Sequence, residues 1–259
     1  ATVVRGLFLA NRSLGLGVEL AQGRAVLAGV AVVDTLPQAA SGLYGMGVQV
    51  GSGGRLAMVG CAVVRGHRAG VLAGSQSQAT LTGVVVSAVA PQENFNTHGA
   101  GVWVVTGSAL TASALRIENC HSAALAVQQA SVDVRGAVLV GTQLAKSQVA
   151  SGAVGVVVGD GLVAHDATAL KVVQSVVAAN ARAGVFLDGE VKGGATLDAI
   201  ALLGGTFGLV LQRGAVATRT GVVIAGASQQ SVAGHAGLSV PEPPALLPLT
   251  VEAVPKPKR

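Results

Sequence analysis

"GVWVVTGSALTASALRIENCHSAALAV", residues 101–127, holds one full period of this chain. It opens on Gly101-Val102-Trp103-Val104, passes through 109–117, and reaches a second small-then-aliphatic start at Ala124-Leu125-Ala126-Val127. Within it, three short stretches alternate apolar and small or polar residues, separated by Gly, Ser or Asn. Period two over three to five residues is the signature of a strand, and no stretch keeps a 3.6 period over a helix length. The same start recurs as "GVEL" (17), "GVQV" (47), "GVLA" (70), "GVVV" (155), "GVFL" (184) and "GLVL" (208). With 101 and 124 included, the spacings are 30, 23, 31, 23, 31, 29 and 24 residues. A unit of 23 residues with insertions accounts for all of them, and such self-similarity is read before anything else.

A second alternation lies between the starts, as "AVLAGVAV" (25–32), "ATLTGVVV" (79–86) and "ATLDAIAL" (195–202). Asn11, Gly66, Asn180 and Gly204, with Asn119 shifted by one, stand just before several starts. Asn and Gly accept a left-handed backbone, as a recurring tight corner requires. Three short strands and one corner per unit predict an all-β chain: a right-handed parallel β-helix solenoid of about eight coils over residues 1–235. A Pro-rich tail or linker follows at 236–259. Stacked at ~4.8 Å per coil, eight coils make a rod of about 35–40 Å.

In these residues the chain resembles the pectin-lyase-like parallel β-helix repeat family. The resemblance implies two kinds of protein. Lyases of this family use acidic residues to hold calcium with a Lys or Arg as base, and hydrolases use paired carboxylates. The family's hydrolase motifs are only partly matched. No two Asp are adjacent, "GHR" (66–68) and "GHA" (234–236) lack the closing Gly, and "RIE" (116–118) ends on Glu where the family has Lys.

Alternation fixes which side chains enter the coil. Val48/Val50, Val71/Ala73, Val102/Val104, Leu125/Val127, Val156/Val158, Val185/Leu187 and Leu209/Leu211 point in. The residues between them, Gln49, Leu72, Trp103, Ala126, Val157, Phe186 and Val210, form an outward column. So apolar a column calls for cover by the chain itself (the tail 243–254 is apolar enough), by a protein partner, or by a ligand. Leu72, Trp103 and Phe186 are therefore candidate partner-binding residues. On the second strand, Asp133, Lys171 and Asp198 are expected in one outward column. There they form either a ladder of ion pairs or, on the enzyme reading, a catalytic set acting on a polysaccharide. "AHD" (164–166), beside "GDG" (159–161) and "LDGE" (187–190), is the densest acidic neighbourhood, with His165 and Asp166 as a possible proton-transfer pair.

The long spacings place insertions near 34–46, 88–100 and 143–154, on alternate coils and at one corner, so that they emerge on one edge of the rod. Loops grouped on a rigid scaffold commonly carry binding. Tyr44, Phe95 and His98 are their candidate contacts.

Composition narrows the remainder. Half of the 259 residues are apolar, 11% are charged, and mean hydropathy is +0.62. No run of ~18 apolar residues marks a spanning helix, and one Trp, one Tyr and four Phe cannot supply the aromatic girdles of a membrane barrel. The net charge of +5 comes from scattered Arg and the tail "PKPKR" rather than a basic stripe, against nucleic acid as a partner. Five scattered His and two Cys without CxxC spacing predict no metal and no cofactor. Cys61 and Cys120, two coils apart, lie too far from one another for a disulfide. An uncapped first coil predicts that Ala1 follows a cut in a longer chain or meets a partner. The function expected is a non-catalytic scaffold and interaction domain of a bacterial secreted or cell-surface protein, extracellular or in the cell envelope. Its partner is another protein or a neighbouring domain, with carbohydrate possible. The alternative is a polysaccharide lyase or glycoside hydrolase.

Overall fold

A computed structural model describes residues 2–4, 6–9, 14–19, 23–92, 98–148, 154–233, 238 and 240. Among these there is no helix, and the strands fall into three parallel sheets of nine rungs each. Sheet I stacks Thr2–Val4, Arg24–Ala28, Arg55–Val59, Gln78–Thr82, Ala109–Ser113, Ser131–Arg135, Ala169–Val173, Ala195–Asp198 and Thr218–Thr220. Sheet II stacks Leu7–Leu9, Ala31–Val33, Ala62–Val64, Val85–Ser87, Arg116–Glu118, Val138–Val140, Val176–Ala178, Ala201–Leu203 and Val223–Ala225. Sheet III stacks Leu14–Glu19, Met46–Gly51, Ala69–Ala73, Ala100–Val105, Ser122–Gln128, Val154–His165, Ala183–Asp188, Phe207–Gln212 and Gln229–Ala233. The chain visits I, II and III in turn, so every strand pairs with its counterpart one coil away. The ninth rung of sheet III, Gln229–Ala233, lacks the small-aliphatic start and is invisible to a search for it.

Single residues with positive φ make the corners. From sheet I to sheet II they are Gly29, Gly60, Gly83, Ala114, Gly136, Gln174, Ala199 and Gly221. After sheet II they are Asp34, Arg65, Ala88, Asn119, Gly141, Ala179, Gly204 and Gly226. Gly204 and Asn119 fill the role expected of them, and Asn11 lies outside the described residues. At the other two positions the bend falls one residue earlier, on Arg65 and Ala179 rather than Gly66 and Asn180. The ladder decides this. The corner N–H bonds to the next coil, Arg65 to Ser87 O at 3.0 Å and Ala179 to Leu203 O at 2.8 Å. Those bonds outweigh the ~1–2 kcal/mol that a side chain costs in this conformation. Asn180 serves otherwise: its buried Oδ1 accepts the Thr142 N–H at 3.2 Å.

The inward aliphatics form one continuous core; Val48, Val50, Val71, Val102, Val104, Leu125, Val127, Val185, Leu187 and Leu209 are all buried. The glycine that opens most units is needed because sheet II passes close behind it. A Cβ on Gly101 would overlap Ile117 Cγ2 and lie 2.7 Å from Ala124 O. Both cysteines are free and buried; Cys61 Sγ donates to Leu27 O at 3.3 Å, and burial pushes the Cys120 thiol up to about 12.

One unit is out of register with the sequence expectation. Leu125 pairs with Leu162 and Ala126 with Val163, so the sixth unit starts at Gly161, not Gly155. The stretch 154–158 instead pairs antiparallel with Ala145–Gln148, forming a hairpin outside the coil. Leu162 and Ala164 enter the core, and Val163 stands in the outer column at the place expected for Val157. The spacings around this unit become 37 and 23, which strengthens the 23-residue period.

Candidate functional site

The outer face of sheet III is not an exposed platform. Leu72, Trp103 and Phe186 are 0%, 1% and 0% exposed, and Ala126, Val163 and Val210 are buried with them. They form a second apolar cluster with Met46, Ala69, Ala100 and Ala183, against which Tyr44, Phe207, Leu238 and Val240 pack. Of the covers expected for the column of Leu72, Trp103 and Phe186, the structure has the chain's own: these side chains are buried within it. Leu238 and Val240 follow the last strand, and Gln212 Nε2 ties Leu238 O at 2.7 Å. The tail stretch 243–254, expected as cover, lies outside the described residues.

The insertions do leave at one corner, between sheets II and III. Tyr44 and His98 end the first and second insertions at equivalent points, each in a left-handed conformation (φ 69° and 67°) and each two residues before its sheet III strand. Both are half-buried. The His98 ring stands 5.5 Å from Trp103, and the Arg68 guanidinium lies 5.2 Å over the Tyr44 ring. Phe95 lies outside the described residues. Arg68 is 6% exposed, and its Nε has no hydrogen-bond partner. Burial pushes its guanidinium down to about 10, partly offset by Tyr44, so it stays charged at neutral pH.

Arg182 stands at the same point of the coil, four rungs on, and its environment differs. Its Nε donates to Asp160 Oδ1 at 2.8 Å and its Nη2 to Asp160 Oδ2, while Ala183 N also donates to Asp160 Oδ1 at 3.2 Å. The pair is nearly dry, 9% and 0% exposed at the side chains, and Arg182 lies 5.0 Å over the Phe186 ring. Asp160 occupies the column that Met46 occupies on the rung preceding Arg68, two residues before the inward aliphatic in both cases.

On sheet I the expected acidic set separates. Asp133 pairs with Lys171 across adjacent strands, and their charges meet at 3.6 Å with about half of each side chain exposed. The next residue in that column is Thr196, while Asp198 pairs with Val173, two positions along. The expectation that Asp133, Lys171 and Asp198 share one outward column is thus corrected. Thr196 and Asp198 both face outward on the strand Ala195–Asp198, and alternation alone does not tell which of them meets Lys171. What remains is a shallow groove of about 340 Å³ bordered by Thr111, Asp133, Lys171 and Thr196, with its two charges closed on each other.

The neighbourhood of His165 is a clasp across three rungs. His165, Asp188 and Gln212 are register partners at the ends of successive sheet III strands. Asp188 is buried, and its oxygens accept from Arg213 Nε (2.6 Å), Gln212 Nε2 (2.8 Å) and Arg213 Nη2 (2.7 Å). His165 Nδ1 lies 2.6 Å from Asp188 Oδ2, and its Nε2 lies 3.4 Å from Asp166. Burial alone would raise the Asp188 carboxyl; the bonds from His165, Arg213 and Gln212 and the Arg213 charge outweigh it and hold the group at about 2. A carboxylate so neutralised is a poor general acid or base at neutral pH.

No family model matches this chain, and no curated protein sequence matches it. Among solved structures it is similar to pectate lyase Pel9A, at 11% identity and a TM-score of 0.46, over 84% of this chain and 68% of that one. It is also similar to the surface protein and adhesin PfbA of Streptococcus pneumoniae, at 10% identity and a TM-score of 0.28, over 88% of this chain and 84% of that one. A third likeness is to the catalytic domain of an alpha-1,3-glucanase solved with tetrasaccharides, at 8% identity and a TM-score of 0.31, over 88% of this chain and 60% of that one. The three-sheet ladder of this chain itself decides the architecture. The fold is a parallel β-helix.

On this β-helix the charged groups of the sheet I groove and of the His165 clasp are already paired. Among the described residues, the corner formed by Tyr44, Arg68 and His98 is where a buried charge is left without a counter-ion. Arg68, Arg182 and Asp188 were not singled out from the sequence. A signal for two of them was present, because "RAGV" occurs at both 68–71 and 182–185.

Proposed function

We propose that this chain is a non-catalytic β-helix scaffold and interaction domain of a bacterial secreted or cell-surface protein, meeting another protein or a neighbouring domain along its insertion edge. The observation that carries this reading is the separation of Asp198 from the Asp133–Lys171 pair. An inverting or retaining glycosidase needs two carboxylates facing across one bond, about 5–9.5 Å apart, and the sheet I groove offers one carboxylate already engaged with Lys171. The His165 clasp supports the same reading, since its buried acid is held ionised by His165, Arg213 and Gln212. An extracellular or envelope location fits a rigid rod built from short parallel strands.

The test is turnover. The purified chain is incubated with acidic and neutral polysaccharides, with and without calcium, and unsaturated products and new reducing ends are measured. The account predicts no release above that of a chain carrying Asp133→Ala and Lys171→Ala. Release that this double variant abolishes would establish an enzyme.

A further inference from the structure

"RAGV" at 68–71 and "RAGV" at 182–185 sit at the same point of the coil. In each, the Arg precedes a sheet III strand and lies over an aromatic ring, Tyr44 for Arg68 and Phe186 for Arg182. At the second site Asp160, on the preceding rung, neutralises the Arg through both oxygens. At the first the preceding rung carries Met46. The two residues are buried to a similar degree, 6% exposed for Arg68 and 8% for Arg182. A buried cation is normally paired, and a ring face compensates for only part of what burial removes. Arg68 Nε has no partner, although burial has not stripped its charge.

We propose that Arg68 is one half of an ion pair whose carboxylate comes from outside this chain: an acidic side chain of a protein that docks on the insertion edge between Tyr44 and His98. This rests on the interaction-domain reading and names its chemistry. A planar guanidinium takes a carboxylate in the two-pronged geometry already present at Arg182 and Asp160. Both flanking residues, Tyr44 and His98, keep part of their surface exposed. A sugar acid fits less well. Such a ligand wants a free aromatic face, but Arg68 already covers the Tyr44 ring and Trp103 is buried.

The experiment follows the unfolding midpoint of the intact chain in acetyl-glutamate-amide, acetate or glucuronate, each against chloride at matched ionic strength. A ligand that binds the folded state raises the midpoint in a saturable way. The expected result is a rise of a few degrees with acetyl-glutamate-amide and acetate, absent in Arg68→Met. It should also be absent in Met46→Asp, which supplies an internal carboxylate, and retained in Met46→Leu. If Met46→Asp does not fold, Arg68→Met against wild type carries the test. No saturable rise in wild type, or a rise that survives Arg68→Met, overturns the proposal. A rise with glucuronate alone overturns the protein partner in favour of an acidic sugar. The turnover assay is independent of these outcomes, so failure here leaves the non-catalytic reading separately decided.

Discussion

Arg182 and Asp160 lie on successive rungs of sheet III and neutralise each other almost out of reach of solvent. The pair also fixes the point where the third insertion rejoins the coil, because Asp160 stands just past the hairpin stretch 154–158 and accepts the Ala183 N–H. Removing one partner leaves the other charged and buried. Asp160→Ala is expected to cost about 3–5 kcal/mol, and adding Arg182→Met should recover most of that loss. Urea unfolding midpoints of wild type and the two variants check this. Equal loss in the single and double variants would show that the pair matters for packing and not for charge.

Gly101 shows why the units open on a small residue. Its missing Cβ leaves room for Ile117 and for the backbone at Ala124. Gly101→Ala is expected to destabilise the chain by about 1–3 kcal/mol through overpacking. Adding Ile117→Val keeps the Cγ2 that the new Cβ meets and leaves the Ala124 carbonyl in place, so it should return little of the loss, and a calorimetric melt of both variants measures it.

Acid behaviour follows from Asp188. Its folded carboxyl, at about 2, lies below the ordinary value of ~3.9. The stability it contributes is therefore fully present above ~pH 4 and is lost as pH falls towards 2. Wild type should lose stability more steeply across this window than Asp188→Asn, as followed by far-UV circular dichroism. Parallel acid limbs would mean that Asp188 titrates normally in the fold.

The surface pair is a contrasting case. Asp133 and Lys171 are each about half exposed. Asp133→Ala should change stability by less than about 1 kcal/mol, and less still at high salt. A larger loss in a denaturant titration would mark the sheet I groove as more than a solvated face.

The period of the coil and most of the core were legible because both depend on local alternation. Val48, Val71, Val102 and Val185 all point inward as the pattern requires. Register across long loops was not legible. The stretch 154–158 has the same alternation as a coil strand, and only its antiparallel pairing with Ala145–Gln148 distinguishes it. Asp198 was misplaced because alternation gives its strand two outward positions, Thr196 and Asp198, and only the ladder tells which of them meets Lys171. Two corner residues, Gly66 and Asn180, were misjudged by one position because the ladder, not the residue type, places the bend, on Arg65 and Ala179. The apolar character of the Trp103 column was visible in the sequence, but its cover depends on residues distant along the chain.

That column also allows the most direct measurement. Trp103 is the single Trp, Tyr44 the single Tyr, and the account places one beneath the chain and the other at its accessible edge. Hydroxyl-radical footprinting of the native protein, read by mass spectrometry, compares them in one experiment. The prediction is that Tyr44 and His98 are modified while Trp103, Leu72 and Phe186 stay protected until the chain is unfolded. Modification of Trp103 in the native protein at the rate of Tyr44 would contradict it, and would return the outer face of sheet III to the surface as a platform for partners.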